Sequence, residues 1–297
     1  MNKPYSIQLE LHYGCNLRCD CCYKQVHNIK KSEFKSMKKS TAIKIAKDLV
    51  EYDPIRITYA QRGEPTLNKD WIKITKILRS YLPQSQILCT TNGLYLNKDN
   101  IGKFFSVGGN ILLVDCYKKD FNVRMEKWKK FKPIDYYDEN NKFNPFCRNS
   151  PKSKKLILLD NIMENNKKKT TRVIWNMGGN VDFDKVKKYG VEPLTAPLKK
   201  KCTYPFREMT IHYDGEVAFC CMDGNQDLKL GNVLKTPIDK IWNSKKYNVA
   251  RLLLYNKKRC FAPCKNCDYF GGMRQGLIPK MKIVNDKELK KYCEMIK

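Results

Sequence analysis

The chain has 297 residues, 42% hydrophobic and 30% charged, enough for one catalytic domain of about 200 residues and a small second domain. It contains no apolar stretch of transmembrane length, and its start, Met-Asn-Lys-Pro-Tyr, lacks the apolar core of a signal peptide. Fourteen cysteines in such a chain favour reduced, metal-binding thiols over a disulfide framework, so we expect a cytoplasmic protein with no membrane span.

The net charge of +28 raises the question of an anionic partner. The lysines are scattered, and the abundance of Asn, Ile, Lys and Tyr is typical of AT-rich coding sequence. The charge therefore indicates either a solvated surface or a partner such as a phosphorylated metabolite, a membrane surface or RNA. No recognised RNA-binding module accompanies it.

Alternating apolar residues predict a first strand within Tyr5 to His12. It leads into Cys15, Cys19 and Cys22, spaced C-x3-C-x2-C. This spacing gives a [4Fe-4S] cluster three thiolates where a cluster normally takes four. The remaining iron can bind a small molecule through an amine and a carboxylate. The spacing favours Cys22 as the third ligand, and the adjacent Cys21 is the alternative.

Helix and strand patterns then alternate. The predicted elements are a helix at Thr41 to Tyr52, a strand at Ile55 to Ala60, a helix at Trp71 to Leu82 and a strand at Gln86 to Thr91. The first of these strands runs into Gly63-Glu64-Pro65, and the second ends at Asn92-Gly93.

The cysteine loop, the Gly-Glu-Pro tripeptide and the Asn-Gly turn together resemble the radical S-adenosylmethionine (radical SAM) enzymes. The resemblance implies that the open iron chelates SAM, which one electron cleaves to methionine and a 5′-deoxyadenosyl radical. It implies close backbone approach at Gly63, and SAM contacts around Glu64, Pro65 and Asn92. It also implies a reductant of the flavodoxin or ferredoxin type. The family usually has an aromatic residue before the third cysteine, where this chain has Cys21.

The middle of the chain continues the alternation. The predicted elements are a strand at Asn110 to Val114, a helix at Phe121 to Phe131, a loop-rich insertion at Pro133 to Pro151, a helix-like run at Leu156 to Lys168, a strand at Thr171 to Asn176, a short helix at Asp182 to Tyr189 and a strand near Val191 to Leu194. Six strands alternating with helices predict an α/β fold, a parallel partial (β/α)6 barrel. Loops at the carboxyl ends of barrel strands hold the chemistry of such folds.

A second cysteine group follows. A hairpin is predicted from Met209 to Phe219 around the turn Asp214-Gly215. The pattern resembles the auxiliary-cluster domain called SPASM, or its single-cluster form called twitch, and too few cysteines remain for two auxiliary clusters. One [4Fe-4S] cluster is therefore assigned to four thiols: Cys202, Cys220, Cys264 and Cys267. Cys221 and Cys260 are alternative ligands, and a structural zinc is the alternative metal.

The run Trp175 to Gly179 resembles an Asn-x-Gly-Gly pattern of SPASM-type proteins found beside sugar and surface-polysaccharide pathways. It makes Asn176 a candidate contact to SAM or substrate, although an ordinary glycine turn explains the residues as well. The expected domains are a barrel at 1–198, an auxiliary-cluster domain at 199–275 and a helical extension at 276–297. In that extension we expect Cys293 to be an ordinary thiol.

The resemblance implies a radical SAM oxidoreductase that abstracts hydrogen from carbon. A fully ligated auxiliary cluster would accept the second electron, which favours dehydrogenation of a sugar-like or other small metabolite. The alternatives are a maturase acting on a ribosomally made peptide and, from another class, an RNA-modifying or RNA-binding protein. The catalytic base is unknown, and four residues qualify by type alone: Asp115, Tyr117, Arg148 and His212.

Overall fold

The fold is organised around one large sheet in a computed structural model that describes residues 3–23, 27–116, 123, 126, 135–137, 154–160, 175–187, 196–269 and 280–296. The strands are β1 (Ser6–Leu9), β2 (His12–Tyr13), β3 (Lys35–Ser36), β4 (Arg56–Tyr59), β5 (Gln86–Thr91), β6 (Ile111–Cys116), β7 (Asp135–Tyr137), β8 (Lys155–Asp160), β9 (Glu208–Ile211) and β10 (Val217–Ala218). The helices are α1 (Lys39–Leu49), α2 (Trp71–Tyr81), α3 (Lys98–Ser106), α4 (Phe183–Val186), α5 (Ile238–Trp242), α6 (Lys245–Tyr255) and α7 (Asp286–Met295).

The large sheet has the strand order β10-β9-β1-β4-β5-β6-β8-β7. All of its pairs are parallel except the hairpin of β9 and β10. A parallel sheet whose strands alternate with α1, α2 and α3 along the chain is the predicted α/β partial barrel, which confirms the fold class.

One face of the sheet packs against helices and forms the core. Ile7 and Leu9 of β1 belong to this core, together with Ile45 of α1 and Ile74 of α2, and all four are fully buried. Because side chains alternate along a strand, the residues between them face the other way. The alternation predicted from the sequence therefore positions the helices on one side.

The opposite, inner face is polar over β9, β1 and β4. Residue pairs in register across these strands include Gln8 with Thr58, and Gln8 with Thr210. Further along, the inner face becomes apolar at a separate small cluster that contains Leu88 and Ile111. The half of the barrel that borders β9 thus presents hydrogen-bonding groups inward.

Three expectations about the middle of the chain are wrong. The helix-like run from Leu156 begins as strand β8, because a continuous apolar run fits a buried parallel strand as well as a helix. The insertion after Pro133 contains the strand β7. Trp175 and Asn176 lie outside any strand, whereas 171–174 and the strand near 191–194 lie outside the described residues.

The predicted hairpin is confirmed, and its position is new. Gly215 has a φ of +87°, which the tight turn requires. Glu208–Ile211 pairs with β1 in parallel, so this strand extends the barrel sheet although it follows the first cysteine of the second group. The expected domain boundary at 198–199 therefore divides the chain but not the sheet.

Cys260 and Cys293 form a disulfide, which corrects two expectations. Cys293 is not an ordinary thiol, and Cys260 is paired away from the second cysteine group. The reason is tertiary: α7 packs against α6 and brings the two residues together. In the part of the chain that the structure describes, no helix is both long and apolar enough to cross a membrane.

Candidate metal centres

The first cysteine group occupies the loop after β1 and β2. The backbone N–H of Leu17 donates to Sγ of Cys15 at 3.3 Å. Burial raises the pKa of the Cys19 thiol, and the neighbouring thiols of Cys21, Cys22 and Cys15 raise it further. All the cysteines of this loop are only partly exposed and lie within electrostatic reach of one another.

Gly63 holds this loop against the Gly-Glu-Pro segment. It forms a bridge with Gly14, and the N–H of Glu64 donates to the Gly14 carbonyl at 2.9 Å. A Cβ at Gly63 would overlap the backbone oxygens of His12 and Gly14. The close approach that the glycine permits is therefore to the cysteine loop itself, and its approach to SAM stays a prediction. Pro65, next in the chain, is buried.

Glu64 orders the neighbouring turn. Its buried carboxylate accepts hydrogen bonds from Oγ1 of Thr66 (2.6 Å), Oγ1 of Thr91 (2.5 Å) and the N–H groups of Thr66 (3.1 Å) and Asn92 (2.7 Å). Burial raises the pKa of Glu64, and these hydrogen bonds oppose the rise. The carboxylate thus fixes the position of the turn after β5, and its contact with SAM stays a prediction.

Asn92 lies directly beside the first cysteine group. Its Nδ2 donates to Oδ1 of Asn16 at 2.8 Å and lies 3.6 Å from Sγ of Cys15. Its Oδ1 accepts from the N–H of Leu94 at 3.0 Å. The structure therefore brings the predicted turn and the predicted ligands together, as a shared site at the carboxyl ends of β4 and β5 requires.

The second cysteine group is enclosed. Cys202, Cys220, Cys264 and Cys267 are each 5–7% exposed. Burial raises the pKa of the Cys220 thiol well above its usual value, and Cys221, Cys264, Cys202 and Cys267 raise it further. Thiols crowded in this way need a cation before they can ionise together, which fits a thiolate-bound metal cluster.

Hydrogen-bond donors and one buried cation surround these thiols. The N–H of Tyr269 donates to Sγ of Cys267 at 3.4 Å. Arg259 is 6% exposed and interacts electrostatically with Cys202, Cys264 and Cys267. Its NH1 donates to the Cys267 carbonyl at 3.3 Å. The guanidinium therefore places positive charge next to the tetrad.

Asn176 connects the Gly-Gly turn to the second cysteine group. Its Nδ2 donates to the Asn266 carbonyl at 2.6 Å, and its N–H donates to the carboxylate of Asp268 at 2.9 Å. Gly178 has a φ of +70°, and a Cβ there would crowd Pro263. The structure thus places Asn176 beside the loop that carries Cys267, and its predicted contact with SAM or substrate stays a prediction.

Two of the candidate bases lie near these groups. Asp115 ends the inner face of β6 and interacts electrostatically with Cys19 and Cys21. His212 follows β9 and is fully buried, with Nδ1 against the side-chain amide of Gln226. Burial lowers the pKa of His212 well below its usual value, so the ring is neutral. Tyr117 and Arg148 lie outside the described residues.

Sequence reasoning missed the polar residues that join these parts. Glu10 and Arg62 form a buried ion pair, and Arg259 and Asp268 surround the second cysteine group. Only Glu10 had a signal in the sequence, because it is a charged residue at an inward position of an alternating strand. Isolated charges elsewhere in a basic chain do not stand out.

The thiol groups and the parallel sheet define a class: an α/β barrel protein with two cysteine sites, one half-open and one enclosed. Comparison with protein families names it. Residues 9–117 match the radical SAM superfamily, and residues 202–268 match SPASM, an iron-sulfur cluster-binding domain. The chain belongs to the radical SAM superfamily and carries a SPASM-type domain.

Two relatives extend the comparison. The chain is 24% identical over 271 residues to the S-adenosyl-L-methionine-dependent 2-deoxy-scyllo-inosamine dehydrogenase of Niallia circulans. The aligned region covers 90% of this chain and 94% of that protein. It is 32% identical over 97 residues to the GTP 3′,8-cyclase of Haemophilus influenzae, which covers 32% of this chain and 28% of that one.

Solved structures share the fold. BtrN in complex with AdoMet and 2-DOIA superposes with a TM-score of 0.67 at 22% identity, over 91% of this chain and 95% of that one. Native anSMEcpe with bound AdoMet and Kp18Cys peptide superposes with a TM-score of 0.52 at 16% identity, over 99% of this chain and 96% of that one. At these identities the likeness shows the fold alone.

The cofactors are SAM and two [4Fe-4S] clusters, and the protein is a radical SAM enzyme. The SPASM match is to an iron-sulfur cluster-binding domain, so a cluster and not zinc belongs to the second site. Within the described ranges, no group of three or more His, Cys, Asp or Glu residues has the geometry for a single metal ion.

Proposed function

We propose that this enzyme dehydrogenates a carbinol carbon of a small hydroxylated metabolite. When bound, SAM and the two clusters supply a 5′-deoxyadenosyl radical, which takes a hydrogen atom from carbon, and an acceptor for one further electron. We assign the SAM-binding cluster to Cys15, Cys19 and Cys22. The second cluster is assigned to a set of four thiols: Cys202, Cys220, Cys264 and Cys267.

The observation that carries this proposal is the surroundings of the second cysteine group. Four thiols suffice to ligate a cluster completely, which leaves no iron free to bind substrate. Buried Arg259 interacts electrostatically with Cys202, Cys264 and Cys267, and the N–H of Tyr269 donates to Sγ of Cys267, so both stabilise added negative charge there. A nearby positive charge and a hydrogen bond to sulfur both raise a cluster's reduction potential, which suits a site that accepts an electron.

The inner face of the sheet supports a hydroxylated substrate. Gln8, Thr58 and Thr210 lie in register across β1, β4 and β9, and these side chains offer hydrogen-bond donors and acceptors. The Niallia circulans relative is by name a dehydrogenase of 2-deoxy-scyllo-inosamine. A small, polar cyclic alcohol of this kind is therefore the substrate class that we favour.

The proposed oxidation must also release a proton. With SAM and both clusters bound, they would take up a hydrogen atom from carbon and one further electron, and a base of this chain would have to take the hydroxyl proton. Asp115 and His212 are the candidate bases among the described residues. Burial lowers the pKa of His212 well below its usual value and makes the ring a weak base, whereas Asp115 interacts electrostatically with Cys19 and Cys21, so we favour Asp115.

We also propose a small reductant of the flavodoxin or ferredoxin type. The net charge of +28 favours docking of an acidic protein by electrostatic attraction. Such an encounter is expected to weaken as salt is added, because exposed charges are screened.

The proposed function is tested by isotope transfer. The reconstituted enzyme is incubated with SAM, dithionite and 2-deoxy-scyllo-inosamine or related cyclitols deuterated at the carbinol carbons. We expect one deuterium in the 5′-deoxyadenosine and a ketone product. The matched control uses cyclitols deuterated only at a methylene.

Two outcomes contradict the proposal. Deuterium transfer from a serine- or cysteine-containing peptide, with none from any cyclitol, would identify a peptide maturase. Transfer from RNA alone would identify an RNA-modifying enzyme.

A further inference from the structure

A buried ion pair links the loop of the first cysteine group to the loop of the second. Nε of Arg62 donates to Oε1 of Glu10 at 2.8 Å, and NH2 donates to Oε2 at 2.7 Å. The Glu10 side chain is 1% exposed and the Arg62 side chain 9%. Burial acts to lower the pKa of Arg62, but the hydrogen bond and the charge of Glu10, together with nearby Tyr23 and Tyr13, raise it overall. Burial raises the pKa of Glu10, and the hydrogen bond and charge of Arg62 oppose that rise. The two-pronged contact is the geometry of a carboxylate with a guanidinium.

Four chain segments meet at this pair. Glu10 follows β1 and precedes the first cysteine group, whereas Arg62 directly precedes Gly63. The Glu10 carboxylate also accepts from the N–H of Tyr213, which follows β9, at 3.4 Å. NH1 of Arg62 donates to the Gly224 carbonyl, in the loop after Cys220, at 3.4 Å.

The loops of the two cysteine groups touch beside the pair. Gly224 packs so closely on the ring of Tyr23 that a Cβ would overlap it, and Tyr23 is the residue after Cys22. The guanidinium of Arg62 stacks over the ring of Tyr13 with 4.7 Å to the centroid. Tyr13 stacks in turn on Tyr213. The contact between the two loops is thus held by one charge pair and three tyrosines.

Stability alone does not account for such a pair. Removing two charges from water costs several kcal/mol per ion, and a buried ion pair is often replaced by apolar residues of similar volume without loss of stability. What an apolar pair cannot reproduce is direction, because the bidentate geometry fixes the guanidinium in a plane. The free NH1 edge is thereby aimed at one carbonyl of the second loop.

We propose that the Glu10–Arg62 pair is a positioning element that sets the separation of the two clusters. Glu10, which precedes the first cysteine group, fixes the guanidinium of Arg62. The same guanidinium donates to the Gly224 carbonyl in the loop after Cys220, so it links the positions of the two loops. The substrate would lose a hydrogen atom at the SAM site and an electron to the second cluster, so both sites must be correctly placed around it. A misplacement of about 1 Å lowers the rate of such a reaction. This inference rests on the assigned cluster ligands and not on the proposed substrate.

The test separates position from stability. The variant Glu10→Leu with Arg62→Met replaces the pair by apolar residues of similar size. Both clusters are reduced with dithionite in the presence of SAM, and pulsed EPR measures the dipolar coupling between them. We expect about eight irons, a melting temperature close to that of the unmodified enzyme, and an intercluster distance that shifts by about 1 Å or spreads over a wider range.

The conservative variant Arg62→Lys keeps the inference testable if the double variant does not fold. It retains the charge but loses the two-pronged contact, so we expect the same broadening with both clusters present. The matched control is Arg79→Lys. Arg79 also binds backbone carbonyls, among them Gly108 at 2.8 Å, but it belongs to α2 and binds the turn after α3 instead of a cysteine loop.

An unchanged dipolar coupling in a folded Arg62→Lys variant with eight irons would overturn the inference and leave the pair a structural contact. The same broadening in Arg79→Lys would also overturn it. Iron content near four in the unmodified enzyme would contradict the ligand assignment instead, so the two failures are distinguishable.

Discussion

The two cysteine groups differ in how the chain builds them. The first lies within eight residues of one loop, is partly exposed and adjoins the amide of Asn92. The second gathers thiols from three segments between Cys202 and Cys267, all buried. The first arrangement leaves one side of a cluster open to a ligand, whereas the second closes it. This contrast fits the proposed roles, in which the partly exposed site binds SAM and the enclosed site accepts an electron.

Removal of the open site should have the strongest effect on the enzyme. Replacing Cys15, Cys19 and Cys22 together by alanine should halve the iron content from about eight to about four per chain. Formation of 5′-deoxyadenosine should be abolished, because no iron remains to bind SAM. Iron analysis and product chromatography measure both.

The control is Cys89→Ala, which removes a buried thiol of β5 outside both groups. Its iron content should match that of the unmodified enzyme. Eight irons in the triple variant would refute the assignment of the first cluster.

Removing the enclosed site should leave SAM cleavage in place. With Cys264 and Cys267 changed to alanine, the first cluster should still form 5′-deoxyadenosine when dithionite is supplied. The oxidised product should disappear, because the substrate radical has lost its electron acceptor. Circular dichroism and iron analysis must first show a folded protein with about four irons. Full conversion to ketone by this variant would make the second cluster structural.

The third thiol of the open site is decided by single substitutions. Cys22→Ala should lose the SAM-binding cluster, whereas Cys21→Ala should keep both clusters and most of the 5′-deoxyadenosine formation. EPR of the reduced cluster with and without SAM reports the difference. The reverse pattern would assign Cys21 as the ligand.

Glu64 tests whether the turn beside the open site is ordered for SAM. Glu64→Gln replaces by an amide a carboxylate that accepts four hydrogen bonds. The loss of one hydrogen bond to a charged group costs about 1.5–3 kcal/mol. We expect SAM binding to weaken about tenfold, with the visible spectrum unchanged. Glu216→Gln, in the hairpin turn, is the matched control. Loss of the cluster in Glu64→Gln would favour a role in assembly instead.

The smallest expected effect is on the potential of the enclosed site. Arg259→Met removes the positive charge beside the second cysteine group, so the reduction potential of that cluster should fall. The potential of the first cluster should not change. Redox titration followed by EPR distinguishes the two signals. An equal fall at both clusters would mean that the substitution disturbs the fold and not the local charge.

Much of the open site follows from the sequence because connectivity fixes it. Three thiols within eight residues must lie close together, and strand alternation predicts which face β1 turns to the helices. The Gly-Glu-Pro and Asn-Gly turns were expected at the ends of adjacent parallel strands, and Asn92 does lie beside Cys15. The fold class was predicted for the same local reasons.

The attachment of β9 and the second cysteine group to the barrel depends on contacts between residues far apart in the chain. The placement of β9 beside β1, the position of Asn176 against Asn266 and the pair of Glu10 with Arg62 join residues 52–202 positions apart. Local patterns carry no record of such partners, because parallel strand order and buried charge pairs are set by which faces the folded chain brings together. The strand at Lys155–Asp160 shows the same limit, since the period of a short apolar run does not distinguish strand from helix.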